Sequence, residues 1–201
     1  VIIQKKYSKD MSVTNIMSVD LEDYYCDLPF SEWSKYNSRV VENTEKILGL
    51  FEKYNVNATF FVLGYIAEKF PELIKKISDL GHEISSHTYS HIDLRKVSKE
   101  KFEEDFFKSK NILEKITGKK VEGFRAPFFS INKNNYWVFE ILSKNLTYDS
   151  SIFPVKTQLY GIPKAPRTIY KPSLKNIIED DKQGKLIEIP MATHKIPLIG
   201  N

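Results

Sequence analysis

Two histidines four positions apart are the residues whose types and spacing most directly suggest chemistry. His87 and His91 lie in the run SHTYSH, so one helical turn or tight loop could direct both imidazoles at a single ion. Two surface histidines that stand four apart by chance are the competing interpretation. Imidazole suits zinc, and also cobalt, nickel or iron, so the pair favours a divalent metal site without identifying the metal.

An acidic run, DLED, could supply a third ligand. Asp20, Glu22 and Asp23 lie within four positions, and a nearby cation would relieve the repulsion among them. A solvated acidic loop is the alternative. Two histidines and one carboxylate leave coordination positions open, as in catalytic sites, and a carboxylate outside the metal shell could act as a general base.

Arg125 stands two positions before a proline. A guanidinium there could bind a carboxylate through two hydrogen bonds and keep it ionised. Pro127 has no N–H and bends the chain, so the N–H of Phe128 could face a substrate oxyanion. The alternative is a surface arginine before an ordinary turn.

The elements that must position these residues alternate between short β-rich runs and amphipathic helical patterns. This alternation predicts an α/β fold with a parallel sheet, either open or closed into a barrel. The candidate residues follow strand ends, which share one rim in such folds, so we expect them to converge there together with Asp149. The predicted strands are 12–20, 58–63, 82–86, 121–125, 146–149 and 186–190, the helices run from Val40, Pro71, Ser98 and Trp137, and a long loop covers 152–173.

Composition limits the classes of protein that remain. The 201 residues are 41% apolar, which predicts one domain over 1–201 with a real core. A single cysteine excludes an internal disulfide, and 30 basic residues interspersed with 26 acidic ones argue against a nucleic-acid partner. No apolar run approaches the roughly 20 residues of a membrane span, and no signal peptide is seen, so the cytoplasm is the default expectation.

Taken in order, these motifs resemble those of the NodB-like polysaccharide deacetylases, carbohydrate esterase family four. SVDLEDYY stands where the family has TFDDG and is similar to the D-x-E-D form of the exopolysaccharide-associated subgroup. HTYSH matches H-S/T-x-x-H, and RAPF matches R-x-P-Y with Phe128 in place of tyrosine. YDSSIFP, with Asp149, stands at a fourth motif without its usual tryptophan. The resemblance runs from about Asn15 to Pro190.

The resemblance implies a distorted, incomplete (β/α) barrel of the TIM-like deacetylase type, and hydrolysis of N-acetyl groups from an amino-sugar polysaccharide or other N-acetylated glycan. It also implies a divalent metal, zinc first, with cobalt, nickel or iron as the other candidates. The roles that it implies are Asp20 as catalytic base, His87 and His91 as metal ligands with either Glu22 or Asp23, Arg125 as the partner of Asp20, and the Phe128 N–H as an oxyanion donor.

One family motif, an L-x-x-H that supplies the general acid, has no match. His194 lacks a leucine three positions before it, where Met191 stands. We therefore expect the chain to stop before the last strand of the barrel and its acid. The alternatives to an active deacetylase are an inactive glycan-binding domain, a hydrolase of another amide or cyclic ureide, and an α/β domain that binds no metal.

Overall fold

The computed structural model describes residues 15–194, in two compact units. Within this range the first unit runs up to Ile92 and includes Glu100–Gly123. The second contains Asp93–Lys99 and the residues from Phe124 onward. The prediction of one domain over the whole chain stays a prediction.

The first unit contains a parallel sheet with helices between its strands. Strand β1, Ser18–Leu21, pairs with β2, Thr59–Val62, and β2 pairs with β3, Glu83–Ser86. Both pairings are parallel, as the β/α alternation predicts. The helices of this unit are α1, Val40–Tyr54; α2, Gly64–Lys69; α3, Pro71–Asp79; and α4, Lys99–Thr117. The first residue of α4, Lys99, belongs to the second unit.

Hydrophobic periodicity accounts for these elements. Every residue of β2 is buried, as expected for a strand with neighbours on both edges. Helix α3 begins at Pro71, whose fixed φ suits a first helical turn, and buries Leu73, Ile74 and Ile77. Gly81, just after it, has a φ of +86°, the left-handed conformation that ends a helix.

The longer segment of the second unit begins within β4, Gly123–Phe124, and continues through α5, Trp137–Asn145, to β5, Tyr148–Asp149. Strand β6, Ile187–Glu188, pairs in parallel with β5. Between β5 and β6 the backbone forms turns, bends and two isolated bridges, without a helix or a longer strand. The predicted long loop over 152–173 is therefore confirmed.

The differences from prediction concern short elements. Residues 12–14 of the predicted first strand lie outside the described range, and its last three residues belong to β1. Helix α2 was not predicted, because it has six residues and begins with glycine, a poor helix former. Among residues 15–194, no helix combines the length and apolarity that a membrane span requires.

Candidate metal centre

Two loops of the first unit bring a carboxylate and two imidazoles together. Glu22 follows β1, and His87 and His91 lie in the loop after β3. One possible ligand atom from each lies within 4.8 Å of the others. Glu22 Oε2 is 2.8 Å from His91 Nε2 and 3.9 Å from His87 Nε2. Ligands about 2.0–2.1 Å from a tetrahedral ion lie about 3.4 Å apart, so the three atoms span the size of a metal shell.

The hydrogen bonding of this trio also fits a cation. Both histidine side chains are 3% exposed and that of Glu22 is 31% exposed. Glu22 Oε2 is a buried atom, and the nitrogens that it approaches are those of the two histidines. His91 Nδ1 lies 3.0 Å from the carbonyl oxygen of Cys26. With the ring proton on Nδ1, the Nε2 lone pair faces the carboxylate, an arrangement that a positive ion stabilises.

The electrostatics of His91 point the same way. Burial lowers its pKa, but the hydrogen bonding and charge of Glu22, the charge of Asp27 and the Cys26 carbonyl together outweigh burial, and the net direction is upward. Positive charge at this position is therefore stabilised by the surroundings, whether a proton or a metal ion carries it.

Asp23, the other candidate for the acidic ligand, is committed elsewhere. Its buried carboxylate accepts hydrogen bonds from Ser38 Oγ and from the backbone N–H of Arg39 at 3.1 Å and of Val40 at 3.4 Å. These groups stand at the start of α1, where backbone N–H groups have no partner inside the helix. Asp23 thus caps α1 from a distant loop, and the geometry brings Glu22, not Asp23, to the histidines.

The strand period explains this division and was the signal available in the sequence. Side chains alternate between the two faces of a strand. Continued past the end of β1 through DLED, the alternation places Asp20 and Glu22 on one face and Leu21 and Asp23 on the other. The observed burial follows that alternation, since Leu21 and Asp23 are buried while Asp20 and Glu22 are half-buried. Asp20 is the residue before the last in β1, where it stands opposite Phe61 of β2.

Arg125 and Phe128 lie in the second unit. Arg125 is 5% exposed, which excludes the surface arginine of the competing interpretation. Its Nε donates to the carbonyl oxygen of Ser150 at 3.0 Å, and a terminal nitrogen donates to Ser150 Oγ at 3.0 Å. Phe128 has a φ of +57°, and Phe129 one of +47°. Two successive non-glycine residues in the left-handed region cost of order 1–3 kcal/mol each, and such strain clusters at functional sites.

Asp149 pairs with an acid that the sequence reasoning missed. Asp149 and Glu188 end the paired strands β5 and β6, are fully buried and lie within hydrogen-bonding reach of each other. Burial raises the pKa of both carboxyls, with the larger rise at Glu188, where the Asp149 charge adds to it. Arg125 opposes both rises. An acid alternating with buried residues in LIEIP was the available signal.

The residues around the acidic run divide between packing and exposure. Tyr25 and Trp33 are buried, but Tyr24 is 55% exposed, with the Arg39 guanidinium 4.1 Å from its ring centroid. Burial raises the pKa of the Cys26 thiol to about 12. The thiol is therefore protonated at neutral pH, as expected for a buried cysteine of low reactivity.

A parallel α/β fold that holds two histidines and a carboxylate beyond its strand ends defines the class of this protein, an α/β domain with metal-site geometry. Residues 31–143 match the family model for polysaccharide deacetylases, which is more than half of the chain. The chain belongs to the polysaccharide deacetylase family. The resemblance seen in the motifs is confirmed at this level, and the exopolysaccharide subgroup stays a prediction.

Two curated relatives illustrate the similarity. A peptidoglycan-N-acetylglucosamine deacetylase of Bacillus cereus is 41% identical over 101 residues, which cover 50% of this chain and 37% of the relative. A peptidoglycan deacetylase-like protein of Gibberella zeae is 32% identical over 154 residues, 71% of this chain and 42% of the relative. The chain thus spans well under half the length of these relatives.

Two solved structures share the fold. A protein from Mycobacterium smegmatis assigned to the polysaccharide deacetylases superposes with a TM-score of 0.68 at 21% identity, covering 92% of this chain and 64% of that one. Puue allantoinase gives a TM-score of 0.57 at 20% identity over 83% of this chain and 44% of its own. These likenesses confirm the predicted fold class.

Proposed function

We propose that this protein is a metal-dependent N-deacetylase, which hydrolyses N-acetyl groups of amino sugars in a glycan and releases acetate. Membership of the polysaccharide deacetylase family supports the reaction. The observation that carries the metal dependence is the convergence of one Glu22 oxygen and one nitrogen of each histidine within 4.8 Å of one another. Zinc is the first candidate for this nitrogen and oxygen set, with cobalt, nickel or iron as the others.

In this proposal Glu22, His87 and His91 hold the ion. A divalent cation bound there supplies acidified water and a polarised acetamide carbonyl. The Cys26 carbonyl fixes the His91 tautomer that presents Nε2, and outer partners of this kind strongly affect metal affinity. Because three protein ligands leave coordination positions open, substrate and water have access to the site.

The roles of the remaining residues follow from the family resemblance. Asp20 accepts a proton from the attacking water, whose oxygen bonds to the acetyl carbon. The carbon–nitrogen bond then breaks as this proton passes to the departing nitrogen. The same resemblance gives Arg125 the role of partner to the base and the Phe128 N–H that of donor to the developing oxyanion. The products are acetate and the free amine of the sugar.

The substrate class is supported by the relatives and by one exposed ring. The relatives' names specify peptidoglycan, so an N-acetylated cell-wall glycan is the first substrate to test. Tyr24 follows Glu22 by two positions and exposes its ring, and aromatic faces of this kind pack against sugars.

The test is acetate release from N-acetylated oligosaccharides and from peptidoglycan, with and without a chelator. We expect release by the wild type, loss on chelation, and loss in His87→Ala. His82→Asn is the matched control. His82 is also buried, but at the opposite end of β3, where its Nδ1 accepts the Ala58 N–H at 3.2 Å, and asparagine can replace that acceptor.

Three outcomes would contradict the proposal. Release that survives both chelation and His87→Ala excludes metal dependence. Binding of metal and glycan without acetate release favours an inactive glycan-binding domain. Turnover of a cyclic ureide but of no acetylated sugar favours another amide hydrolase, since a fold does not fix its substrate.

A further inference from the structure

The loop that carries both histidines has an unfavourable backbone conformation. Thr88 has a φ of +68° and His91 a φ of +53°. The left-handed region costs a non-glycine residue roughly 1–2 kcal/mol, and the branched Cβ of threonine makes it rarer still. The loop therefore needs contacts from outside itself to keep the two imidazoles in place.

A buried carboxylate from another element supplies such contacts. Asp105 lies within α4 and is 5% exposed. Its Oδ1 accepts the backbone N–H of Tyr89 at 2.6 Å, and its Oδ2 accepts the hydroxyl of Ser90. The backbone N–H of Ser90 donates to the same carboxylate. All three donors belong to the two residues between Thr88 and His91.

The opposite side of the loop is held by α2. The N–H of Gly64 donates to the Thr88 carbonyl at 2.9 Å, and the N–H of Tyr65 donates to the Tyr89 carbonyl at 3.1 Å. A Cβ at position 64 would lie 2.8 Å from both Ser109 Cα and Tyr89 Cδ2. The loop is therefore clamped between α2, which binds its carbonyls, and Asp105, which binds its N–H groups.

Asp105 is the acidic member of this clamp. Burial raises the pKa of its carboxyl, and the three hydrogen bonds that it accepts oppose this rise by favouring the ionised form. Hydrogen bonds to an ionised acceptor contribute about 1.5–3 kcal/mol each, roughly twice the value for neutral pairs. Three such bonds are enough to offset the strain at Thr88 and His91. Replacing the carboxylate with an amide keeps the shape of the side chain but weakens all three bonds and sets an NH₂ group against a donor.

We propose that Asp105 is a positioning residue for the His87–His91 pair, holding the loop between them in the shape that directs both imidazoles at one cation. This inference rests on the proposed function, in which the pair and Glu22 hold a divalent metal ion. Asp105 itself is not a ligand: its oxygens bind the loop backbone and Ser90.

The experiment compares Asp105→Asn with Glu104→Gln in the full chain. Both variants lie on α4 and remove one negative charge, but the Glu104 side chain is 69% exposed and pairs with Lys101. Dissociation constants for Co²⁺ and Zn²⁺, and the visible absorption of bound Co²⁺, report on the geometry of the site. Unfolding of the metal-free proteins reports separately on the fold.

We expect Asp105→Asn to weaken metal binding about 10–100-fold, the range found when an outer partner of a metal ligand is removed, and to shift the cobalt spectrum. Glu104→Gln should change neither. If Asp105→Asn does not fold, Ser90→Ala removes one of the three donors and should weaken binding by a smaller factor.

Two results overturn the inference and can be told apart. If the wild type binds no metal, the proposed function fails and this inference fails with it. If the wild type binds metal and Asp105→Asn, or Ser90→Ala in its place, binds with the same affinity and the same cobalt spectrum, only the role of Asp105 is refuted.

Discussion

Glu22 and Asp23 are adjacent in the chain, yet substituting each is expected to change a different property. In Asp23→Asn the side chain keeps its size and loses its charge. The native carboxylate accepts hydrogen bonds from Ser38 Oγ and from the first N–H groups of α1, and it is 5% exposed. Solvent therefore screens these contacts little.

The magnitude follows from what the amide cannot do. Two charge-assisted bonds that become neutral lose about 1 kcal/mol each, and the lost charge at a helix N-terminus removes roughly another 1 kcal/mol. We therefore expect Asp23→Asn to lower the free energy of unfolding by about 3 kcal/mol. The metal affinity of the folded fraction should stay within a few-fold of the wild type.

Glu22→Gln should have the opposite effect, a loss of metal affinity with little change in the free energy of unfolding. The Glu22 side chain is 31% exposed, and glutamine keeps an oxygen that can face His91, so the fold loses little. Removing a charged ligand should weaken zinc binding by at least about 100-fold, the upper end of the effect of losing an outer partner.

Urea unfolding of the metal-free proteins and equilibrium dialysis against zinc measure the two properties independently. The reasoning is refuted if Asp23→Asn abolishes metal binding without destabilising the protein. It is equally refuted if Glu22→Gln binds zinc like the wild type.

Two further predictions concern the buried acid pair and a close backbone contact. Burial raises the pKa of Glu188, so ionisation of this carboxyl destabilises the folded protein. The destabilisation is absent below the ordinary carboxyl pKa of about 4.3, and it grows as the pH rises toward the raised pKa. Glu188→Gln should match the wild type in urea unfolding near pH 4 and become the more stable protein above it, by up to about 1.4 kcal/mol per pH unit; growing destabilisation would instead show an ionised Glu188. Gly64→Ala should lower the free energy of unfolding by about 1–3 kcal/mol in the same assay, because the added Cβ meets the backbone of Ser109. Gly49→Ala in α1 should raise it by about 0.5–1 kcal/mol, because no atom lies within 4 Å of the added Cβ. Equal effects of the two substitutions would contradict the clamp.

The sequence predicts most of the fold because its signals are local. Apolar spacing and end signals such as Pro71 and Gly81 locate the longer helices, and buried runs locate β2 and β3. The two-residue strands β4, β5 and β6 are shorter than their apolar runs, since pairing with a neighbour sets their ends. Helix α2 is too short for periodicity to show.

The candidate site was predictable in its residue types but not in its supports. His87, His91 and the acidic run stand out by spacing, and strand alternation separates Glu22 from Asp23. The contact of Asp105 with the histidine loop joins residues on different elements, so no local pattern contains it. The left-handed φ of Thr88 is likewise imposed by tertiary contacts, against the preference of threonine.

The central claim is that Glu22, His87 and His91 hold one divalent cation. The most direct measurement is a zinc titration of the metal-free protein, with bound metal counted per chain after dialysis, for the wild type, Glu22→Gln and His87→Ala. The account predicts one tightly bound ion in the wild type and none retained in either variant. A wild type that retains no ion, or variants that retain it as the wild type does, would contradict it.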